Sequence, residues 1–565
     1  MTDSPPPSSA SELPPPSPAE PAANLDPETP PPTAPEPIPA GRSILSIASI
    51  VAGATLLSKV AGLVRQQVIA AAFGAGPVVD AFAYAYVLPG FLLILLGGIN
   101  GPFHSAMVSV LAKRDRSEAA VIVETVTTVV CGALLVVSAA LVVFAEPAIG
   151  LLAPGLSVHN TAAAIQTREL AVLQLQVMAP IAFLAGAIGI GFGTLNAADL
   201  YWLPSISPVL SSIVTIGAIG WFAWQQGGSG PDTLALGGVL LAASTTAGAL
   251  LQWLVQLPAQ LKAGMGRFRL GWSLRHPGVQ AVLGVMGPAA LSSGMLQINL
   301  YTDLFFASFV PQAAAALNYA NLLIQTPLGL VSNVVLVPLL PVLARSADDR
   351  PVFIDRLRQG LLVSAIAMLP LSGLTIALAD PIVQVIYERG AFNSNDSQLV
   401  ASVLMAAGIG MFVYLGRDVM VRAFYALGDA NAPFRISLVN IGFNALLDWW
   451  LVPRFGAAGI VLATVGVNAL AMAALLWLLD QRMGGLPWGD WAKPFGGVLL
   501  GSVLAGGVAW GVRWGLAGSL GSSLLEQLLL LVLAGSAGLG VFGAVAWQLR
   551  LPELQILLRR WRRSE

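Results

Sequence analysis

The sequence predicts an all-α polytopic membrane protein of about fourteen transmembrane helices: two pseudo-symmetric six-helix lobes around a central cavity, plus two C-terminal helices. Of the 565 residues, 56% are hydrophobic and only 10% are charged, whereas soluble domains carry about 25% charged residues. Apolar stretches of the roughly 20 residues needed to cross a bilayer recur along the chain. The 59 glycines and 39 prolines fit the higher frequency of both residues in membrane helices.

Residues 1–41 have a different composition and are predicted to form a disordered cytoplasmic tail. They hold 15 prolines and six acidic residues but no lysine or arginine. Such a segment cannot bury enough apolar surface to fold. It also lacks the basic start and apolar centre of a signal peptide. The whole chain has a formal charge of −1, so the residues after this tail carry about +5.

The apolar stretches divide the rest of the chain into four parts. Six predicted helices form an N-terminal lobe, 42–265, and six form a C-terminal lobe, 266–485. Two more occupy 486–549, and 550–565 form a basic cytoplasmic tail. An interfacial loop is predicted between the third and fourth helices, over 145–167. In chain order, the predicted helices cover residues 44–73, 79–111, 119–144, 170–195, 203–224, 234–261, 279–310, 314–343, 353–379, 397–426, 434–452, 457–479, 495–516 and 524–549.

The distribution of basic residues predicts the orientation of these helices. In a fourteen-helix topology the arginine-rich and lysine-rich segments all fall on one side, and only scattered cations lie on the other. Lysine and arginine mark the cytoplasmic side of membrane proteins. Both termini are therefore predicted to be cytoplasmic. The basic segments are residues 113–116, 262–275, 345–358 and 550–563.

A faint internal repeat supports two related lobes. The string LNAAD after the fourth helix and the string LGD after the tenth are each followed by a proline and an Ile-Ser pair. AFAYAYVLPG, at the second helix, similarly resembles ALNYANLLIQTP at the eighth. Transporters are often duplicated in this way, with the substrate site between the repeats.

Charged residues interrupt the first two predicted helices, in the stretch 57–89. Lys59, Arg65 and Asp80 lie there beside several glycines and Pro89. Charges at membrane depth usually face a cavity or a partner and are functional candidates. We interpret the two cations as contacts of an anionic, lipid-linked substrate in a central cavity. The alternative is structural: Lys59 extends to the membrane surface, and Arg65 pairs with Asp80.

A second polar group falls on three other predicted helices. Asp303 lies in the seventh helix, Asn444 and Asp448 are four residues apart in the eleventh, and Thr464 lies in the twelfth. Residues four apart share one face of a helix. Carboxylate, amide and hydroxyl oxygens suit a small hard cation or a proton relay. The alternative is that Asp448 lies at the membrane surface beside two tryptophans.

Other classes of site find little support. Arg417, Asp418 and Arg422 form a further charged group in the tenth helix, and the spacing of the last two favours an i, i+4 ion pair with a structural role. The lone Cys131 excludes an intrachain disulfide. The three histidines lack metal-ligand spacing, and no phosphate-binding glycine loop occurs. The sequence therefore predicts no tightly bound cofactor and no direct use of ATP.

Several strings in the sequence resemble one family over roughly residues 43–550. They are the stretch 57–89 and the strings GTLNAADLYWLPSISPVL, IYERGAFNSND, VRAFYALGDANAP and FNALLDWWLVPRFGAAGIVLAT. They look like the MurJ (MviN) family of bacterial lipid II flippases, within the multidrug/oligosaccharidyl-lipid/polysaccharide exporter superfamily.

The resemblance implies a non-enzymatic flippase in the bacterial plasma (inner) membrane. Such a protein moves undecaprenyl-pyrophosphate-linked peptidoglycan precursor from the inner to the outer leaflet by alternating access, for cell wall synthesis. The last two helices would form the groove for the lipid tail. Expected partners are this precursor and membrane lipid but no nucleic acid. The chain is expected to be a monomer, with the cell-wall synthesis machinery as a further candidate partner.

Individual residues carry the resemblance unevenly. Arg65 and Lys59 fall on family cavity arginines, although lysine loses bidentate geometry, and Asp80 matches an aspartate of the second helix. The resemblance therefore implies that all three contact the substrate. Asp303, Asn444, Asp448 and Thr464 resemble a sodium site, so Na⁺ is the expected coupling ion. The family has an arginine and an acidic residue in each of two places where this chain has neither. The residues found there are Leu93, Gly98, Leu322 and Gln325.

These departures leave alternatives open. One is an exporter of another polyprenyl-linked glycan, because the predicted cavity is less charged than the family pattern. Another is a multidrug exporter, which a twelve-helix chain would favour. A third is a non-transporting scaffold that binds a partner through the proline-rich tail.

Overall fold

A computed structural model describes residues 44–97, 102–111, 114–159, 161–226, 231–264, 269–516 and 523–549. The tails predicted at residues 1–41 and 550–565 lie outside these ranges. The chain divides into two compact units, Met1–Ser49 and Ile50–Glu565. Of the first unit, the described residues are 44–49, which begin a helix. All contacts discussed below lie within the second unit.

Within the described ranges the chain is helical and contains no strand. In chain order the helices are α1 (Ile44–Phe73), α2 (Pro77–Gly97), α3 (Pro102–Leu111), α4 (Arg116–Val143), α5 (Ala145–Leu152), α6 (Gly155–Val158), α7 (Ala162–Met178), α8 (Ile181–Ala197), α9 (Trp202–Gln226), α10 (Pro231–Ala263), α11 (Pro277–Leu296), α12 (Ile298–Ala307), α13 (Ala313–Arg345), α14 (Arg350–Tyr387), α15 (Ser394–Ala426), α16 (Asn431–Phe455), α17 (Ala457–Arg482), α18 (Trp488–Leu516) and α19 (Leu524–Gln548).

The predicted membrane spans coincide with these helices, and the all-helical membrane architecture is confirmed. Twelve described helices are long and apolar enough to cross a bilayer, and α7 with α8 makes a thirteenth span, bent by 40°. The bend falls where Pro180 interrupts the helical hydrogen bonds. The remaining predicted span, 279–310, is divided between α11 and α12 at Gln297. The count of fourteen therefore stays a prediction.

The prediction of an interfacial loop over 145–167 is wrong. This stretch holds α5, α6 and the first turns of α7. Thr161 begins α7 as a conventional N-cap, because its hydroxyl accepts a hydrogen bond from the backbone N–H of Ala164 at 3.2 Å. The segment lacks a continuous apolar run, and the short helices α5 and α6 pack on α7.

The helices of the first half pack chiefly on one another, and so do those of the second half. α2 packs on α7 and α8, α8 also on α4, and α9 on α10. In the second half α15 is the central helix, since it packs on α13, α14 and α17, and α16 packs on α17. The two halves meet where α11 packs on α3 and α4, where α2 touches α13, and where α12 touches α5 and α6.

The last two helices are joined to α14 through a break in that helix. Pro381 lacks the N–H that would bond the carbonyl of Ala377, and Leu378 has a non-helical backbone, with φ −115°. The guanidinium of Arg513, in α18, donates to this carbonyl at 3.1 Å and to the carboxylate of Asp380 at 2.6 Å. One arginine therefore satisfies the break in α14 and fixes α18 against it.

Asp80 links the two halves as the N-terminal cap of α13. Its side chain is only 4% exposed, and its carboxylate accepts the backbone N–H of Ala315 at 2.9 Å. The backbone groups of Ala314 and Gln312 also bond to it. Gln312, which precedes α13, has a left-handed backbone with φ 62°. A carboxylate at the start of a helix satisfies unpaired N–H groups and the helix dipole together.

Backbone contacts reinforce this junction. The hydroxyl of Tyr319 donates to the carbonyl of Gly74 at 2.9 Å, and the N–H of Ala391 donates to the carbonyl of Ala71 at 2.8 Å. Gly390 has φ +60°, and a Cβ there would fall on the Ala71 carbonyl. Only glycine permits both this conformation and this close approach. These contacts join the C-terminal end of α1 to the start of α13 and to the loop before α15.

The cap predicts a graded response to substitution at Asp80. Replacing Asp80 by Ala removes the acceptor and should cost about 0.5–2 kcal/mol, as loss of an N-cap does. Asp80→Asn keeps an oxygen acceptor and should lose much less. Thermal unfolding of the detergent-purified protein would measure both. Equal melting temperatures for the alanine variant and the parent would contradict the capping role.

Candidate functional site

A polar cavity lies between α2, α12, α13, α15 and α17. Its volume is about 700 Å³, within the usual range of ligand sites. Aromatic and aliphatic residues of α2 and α13 form the apolar walls, among them Phe82, Phe91 and Leu317. The polar lining residues are Gln297, Asp303, Asn318, Asn321, Gln325, Arg417, Asp418, Thr464 and Asn468.

The four residues predicted to bind a cation form one cluster, and two of them reach this cavity. The amide nitrogen of Asn444 donates to Asp303 Oδ1 at 2.7 Å and to Asp448 Oδ2 at 3.0 Å. The hydroxyl of Thr464 donates to Asp303 Oδ2 at 3.1 Å. The cluster thus joins α12, α16 and α17, and Asp303 and Thr464 line the cavity.

The cluster has more acceptors than donors. Asp448 is 0% exposed and Asn444 is 1% exposed. Within the described ranges, Asp448 Oδ1 and Asn444 Oδ1 are buried without a hydrogen-bond partner. Neither carboxylate forms an ion pair with a described lysine or arginine. Buried charges are normally paired or coordinated, so this donor set fits a bound cation or proton.

The donor set also limits the kind of cation. In the part of the chain that the structure describes, no three His, Cys, Asp or Glu side chains are grouped to hold a metal. Two carboxylates with an amide and a hydroxyl are hard oxygen donors. The cluster therefore fits a small hard monovalent cation better than a transition metal.

Lys59 and Arg65 lie on α1 beside the cavity rather than among the residues that line it. Lys59 is exposed, and its Nζ lies 3.6 Å from the position that a Cβ on Gly329 of α13 would take. Arg65 is half-buried, within electrostatic range of Tyr86, which lines the cavity. Next to it, the amide of Gln66 donates to the lining residue Asn318 at 3.4 Å.

Of the structural alternative, the ion pair between Arg65 and Asp80 is not formed, and the extension of Lys59 to the membrane surface stays a prediction. Among the described residues neither Lys59 nor Arg65 has a carboxylate within ion-pair distance. Asp80, the expected partner of Arg65, is instead buried against the start of α13. The three predicted substrate contacts therefore divide into two unpaired cations and one carboxylate engaged in packing. Their contact with substrate stays a prediction.

Arg417 and Asp418 are cavity residues that the sequence interpretation gave a structural role. They line the cavity and form an ion pair with each other at 3.6 Å. Asp418 was expected to pair with Arg422, four residues on. The spacing of charges along one helix shows which of them can pair within that helix. It does not show which side chains face a cavity.

Of the described positions at which the chain departs from the family pattern, one lines the cavity, and it is uncharged. Gln325 is exposed and lines the cavity, while Leu322 and Leu93 are half-buried. Gly98 lies outside the described residues. The only charged residues that line this cavity, in the ranges described, are Asp303, Arg417 and Asp418.

Comparison of the sequence with known proteins gives one family. The model of the family Lipid II flippase MurJ matches residues 69–528. A probable lipid II flippase MurJ from Synechocystis is 59% identical over 460 residues, which cover 80% of this chain and 85% of the relative. A lipid II flippase MurJ from Burkholderia cenocepacia is 31% identical over 450 residues, covering 77% and 83%.

Two solved structures share the fold. A lipid II flippase MurJ in an inward closed conformation superposes with a TM-score of 0.70 at 21% identity, covering 88% of this chain and 98% of that one. An inward-facing multidrug transporter of the MATE family superposes with a TM-score of 0.58 at 15% identity, covering 77% and 98%. With a matching family model and two such relatives, the chain belongs to the lipid II flippase MurJ family.

Proposed function

We propose that this protein is a lipid II flippase, which moves the undecaprenyl-pyrophosphate-linked peptidoglycan precursor from the inner to the outer leaflet of the bacterial plasma membrane. The observation that carries the proposal is 59% identity to the Synechocystis relative over four-fifths of the chain. A polar cavity among membrane-spanning helices is the kind of compartment that such a task requires. The protein acts by transport, without covalent chemistry, and both of its termini are cytoplasmic.

The pyrophosphate group would meet the unpaired cations of α1. Arg65 offers a fork of N–H donors that suits phosphate, and Lys59 offers a point charge. Both lie next to residues of α2 and α13 that line or adjoin the cavity. Asp80 would act indirectly, because its buried carboxylate holds the start of α13 in place. The polyprenyl chain would lie along α18 and α19, outside the cavity.

Transport would proceed by alternating access between the two halves. The junction around Asp80, Tyr319 and Gly390 closes the end of the helices opposite the predicted cytoplasmic loops. Breaking these contacts while others form at the cytoplasmic end would expose the cavity to the outer leaflet. The chain would do this as a monomer, near the enzymes of cell-wall synthesis.

Na⁺ is the coupling ion that the acidic cluster fits. The side-chain oxygens of Asp303, Asn444, Asp448 and Thr464 would hold it, and its charge would offset that of the two carboxylates. Those residues would then keep α12, α16 and α17 together in one arrangement of the second half. Each elementary charge that crosses the membrane field gains about 2.3 kcal/mol per 100 mV, enough to bias a conformational change.

A second candidate is an exporter of another polyprenyl-linked glycan. The observation that favours it is the cavity lining, in which the uncharged Gln325 stands where the family pattern has a charged residue. The multidrug alternative has less support, because the likeness to a MATE transporter is one of fold at 15% identity. The scaffold alternative depends on the proline-rich tail alone.

Complementation tests the cargo. Expression of this chain should restore growth and outer-leaflet lipid II in a bacterium depleted of its own flippase. A deletion of residues 1–41 should restore both equally, whereas the scaffold alternative requires that deletion to abolish activity. Failure of the full chain at normal membrane expression, with another polyprenyl-linked glycan exported instead, would favour the second candidate.

Substitution of the α1 cations tests substrate contact. Arg65→Ala removes charge-assisted hydrogen bonds and should lower flipping about 10-fold or more. Arg65→Lys should lose less, since it keeps the charge, and Lys59→Ala should resemble Arg65→Ala. Arg356→Ala is the matched control, because Arg356 is exposed at the start of α14. Lipid II accessibility in the outer leaflet measures all four. Activity equal to that of the control would assign both cations a structural role.

Sodium-dependent stability tests the cluster. Ligand at ten times its Kd should stabilise the folded protein by about 1.4 kcal/mol, so the melting temperature should rise in NaCl relative to equimolar KCl. Asp303→Asn should abolish this difference. Asp418→Asn, a change of the other cavity carboxylate, should preserve it. No sodium-specific shift in the parent protein would count against the site.

A further inference from the structure

A second cavity lies within the first half of the molecule, apart from the polar cavity described above. It has a volume of about 340 Å³ and is enclosed by α4, α8, α10 and the segment that follows α10. None of the residues assigned to substrate or cation contacts it. The lining includes Glu124, Thr127, Gly132, Phe183, Ile190, Trp253, Gln260 and Arg269.

This second cavity has a polar end and an apolar end. Arg269 and Gln260 lie at the polar end with Glu124 and Thr127. The other lining residues are chiefly aliphatic and aromatic, and they include Phe183 and Trp253, whose rings meet edge to face at 6.1 Å. A cavity divided in this way matches an amphiphile, with its head group at Arg269 and a hydrocarbon chain between α4, α8 and α10.

The segment at the mouth of the second cavity places it at the surface of the bilayer. Residues 269–275 read RLGWSLR. Leu270, Trp272 and Leu274 are 78%, 72% and 46% exposed between two arginines. Exposed tryptophan and leucine beside arginine are typical of the boundary between lipid tails and head groups. The N–H of Gly271 donates to the hydroxyl of Thr128 at 2.9 Å and so fixes the segment to α4.

The second cavity also opens toward the lipid-facing side of α4. Leu135 is 59% exposed there. A Cβ on the neighbouring Gly132 would meet no atom within 4 Å. A hydrocarbon chain can therefore enter from the membrane without passing through the protein interior.

The polar groups indicate the chemistry of the head group. Arg269 favours a phosphate, and it lies in a segment of the predicted basic, cytoplasmic side. Gln256 is 0% exposed and its Oε1 has no hydrogen-bond partner among the described residues. It adjoins Gly191, which lines the second cavity. Gln256 thus adds an acceptor that suits a hydroxyl donor of the ligand.

We propose that this second cavity binds one anionic membrane lipid with a hydroxylated head group, drawn from the cytoplasmic leaflet. Its phosphate binds Arg269 and Gln260, a hydroxyl group faces Gln256, and one acyl chain lies against Phe183, Ile190 and Trp253. The lipid bridges α4, α8 and α10 and is distinct from any cargo of the polar cavity.

Native mass spectrometry of the full chain in detergent tests the proposal, with phosphatidylglycerol and phosphatidylcholine as probes. The parent should retain one phosphatidylglycerol more tightly than phosphatidylcholine. Arg269→Gln should weaken the binding of phosphatidylglycerol about tenfold, the effect of losing one charge-assisted hydrogen bond. Arg275→Gln is the matched control, since Arg275 is exposed on the same segment but does not line the cavity.

A substitution that fills the second cavity provides a second test. Gly132→Trp projects into open space and should abolish binding of both lipids at this site without a steric clash. Gly217→Trp, on the exposed face of α9 with equally open surroundings, should leave binding unchanged. Equal lipid retention by Arg269→Gln and Arg275→Gln, with no effect of Gly132→Trp, would overturn the proposal. The proposal would also be overturned if Gly132→Trp removed a bound detergent molecule but changed the binding of neither phospholipid.

Discussion

The bilayer interior supplies no water to a polar group, and this constraint governs the structure. Every N–H and carbonyl at membrane depth needs a partner from the protein. Hydrogen bonds within the helices satisfy most of these groups. Where a helix leaves one unpaired, a side chain from another helix bonds to it and joins the two. Asp80 takes up the free N–H groups at the start of α13. Arg513 takes up a carbonyl of α14 that Pro381 leaves unpaired. In each case a side chain of one helix bonds an unpaired backbone group of another, and this bond fixes the position of the two helices.

The same constraint explains where charge is found. Asp303, Arg417 and Asp418 lie on a cavity that can hold water or a ligand, and Asp448 is buried among hydrogen-bonding neighbours. The family to which the chain belongs handles a cargo with a strongly anionic group, which must cross the same medium. Among the described residues the α1 cations beside the polar cavity have no carboxylate partner, and in the proposed function they would lower the free energy of that group during its passage. In the same proposal, the oxygen cluster beside that cavity would provide a counter-charge that a small cation could switch.

Much of this arrangement could be predicted from the sequence, because hydropathy and charge are local signals. The helices follow from apolar stretches of sufficient length, and the Asp303–Asn444–Asp448–Thr464 cluster from oxygen ligands at membrane depth together with the family resemblance. Other long-range contacts could not be predicted, because no local signal marks them. Asp80 was read as a substrate contact, yet it bonds a residue 235 positions away. The short helices α5 and α6, and the exposure of Arg417 to the cavity, likewise depend on packing that no local pattern encodes.

One part of the junction between the halves is made from main-chain atoms and small residues. The carbonyl of Ala71 lies against Gly390 and Ala391, and the N–H of Gly155 bonds the hydroxyl of Ser308 at 2.9 Å. Long side chains lose about 1.5–2 kcal/mol of rotamer entropy when they are ordered, whereas glycine and alanine lose almost none. Closing this seam therefore orders few side chains, and opening it releases few. Such a seam can part and re-form with little entropic penalty in either direction, as a repeating transport cycle requires.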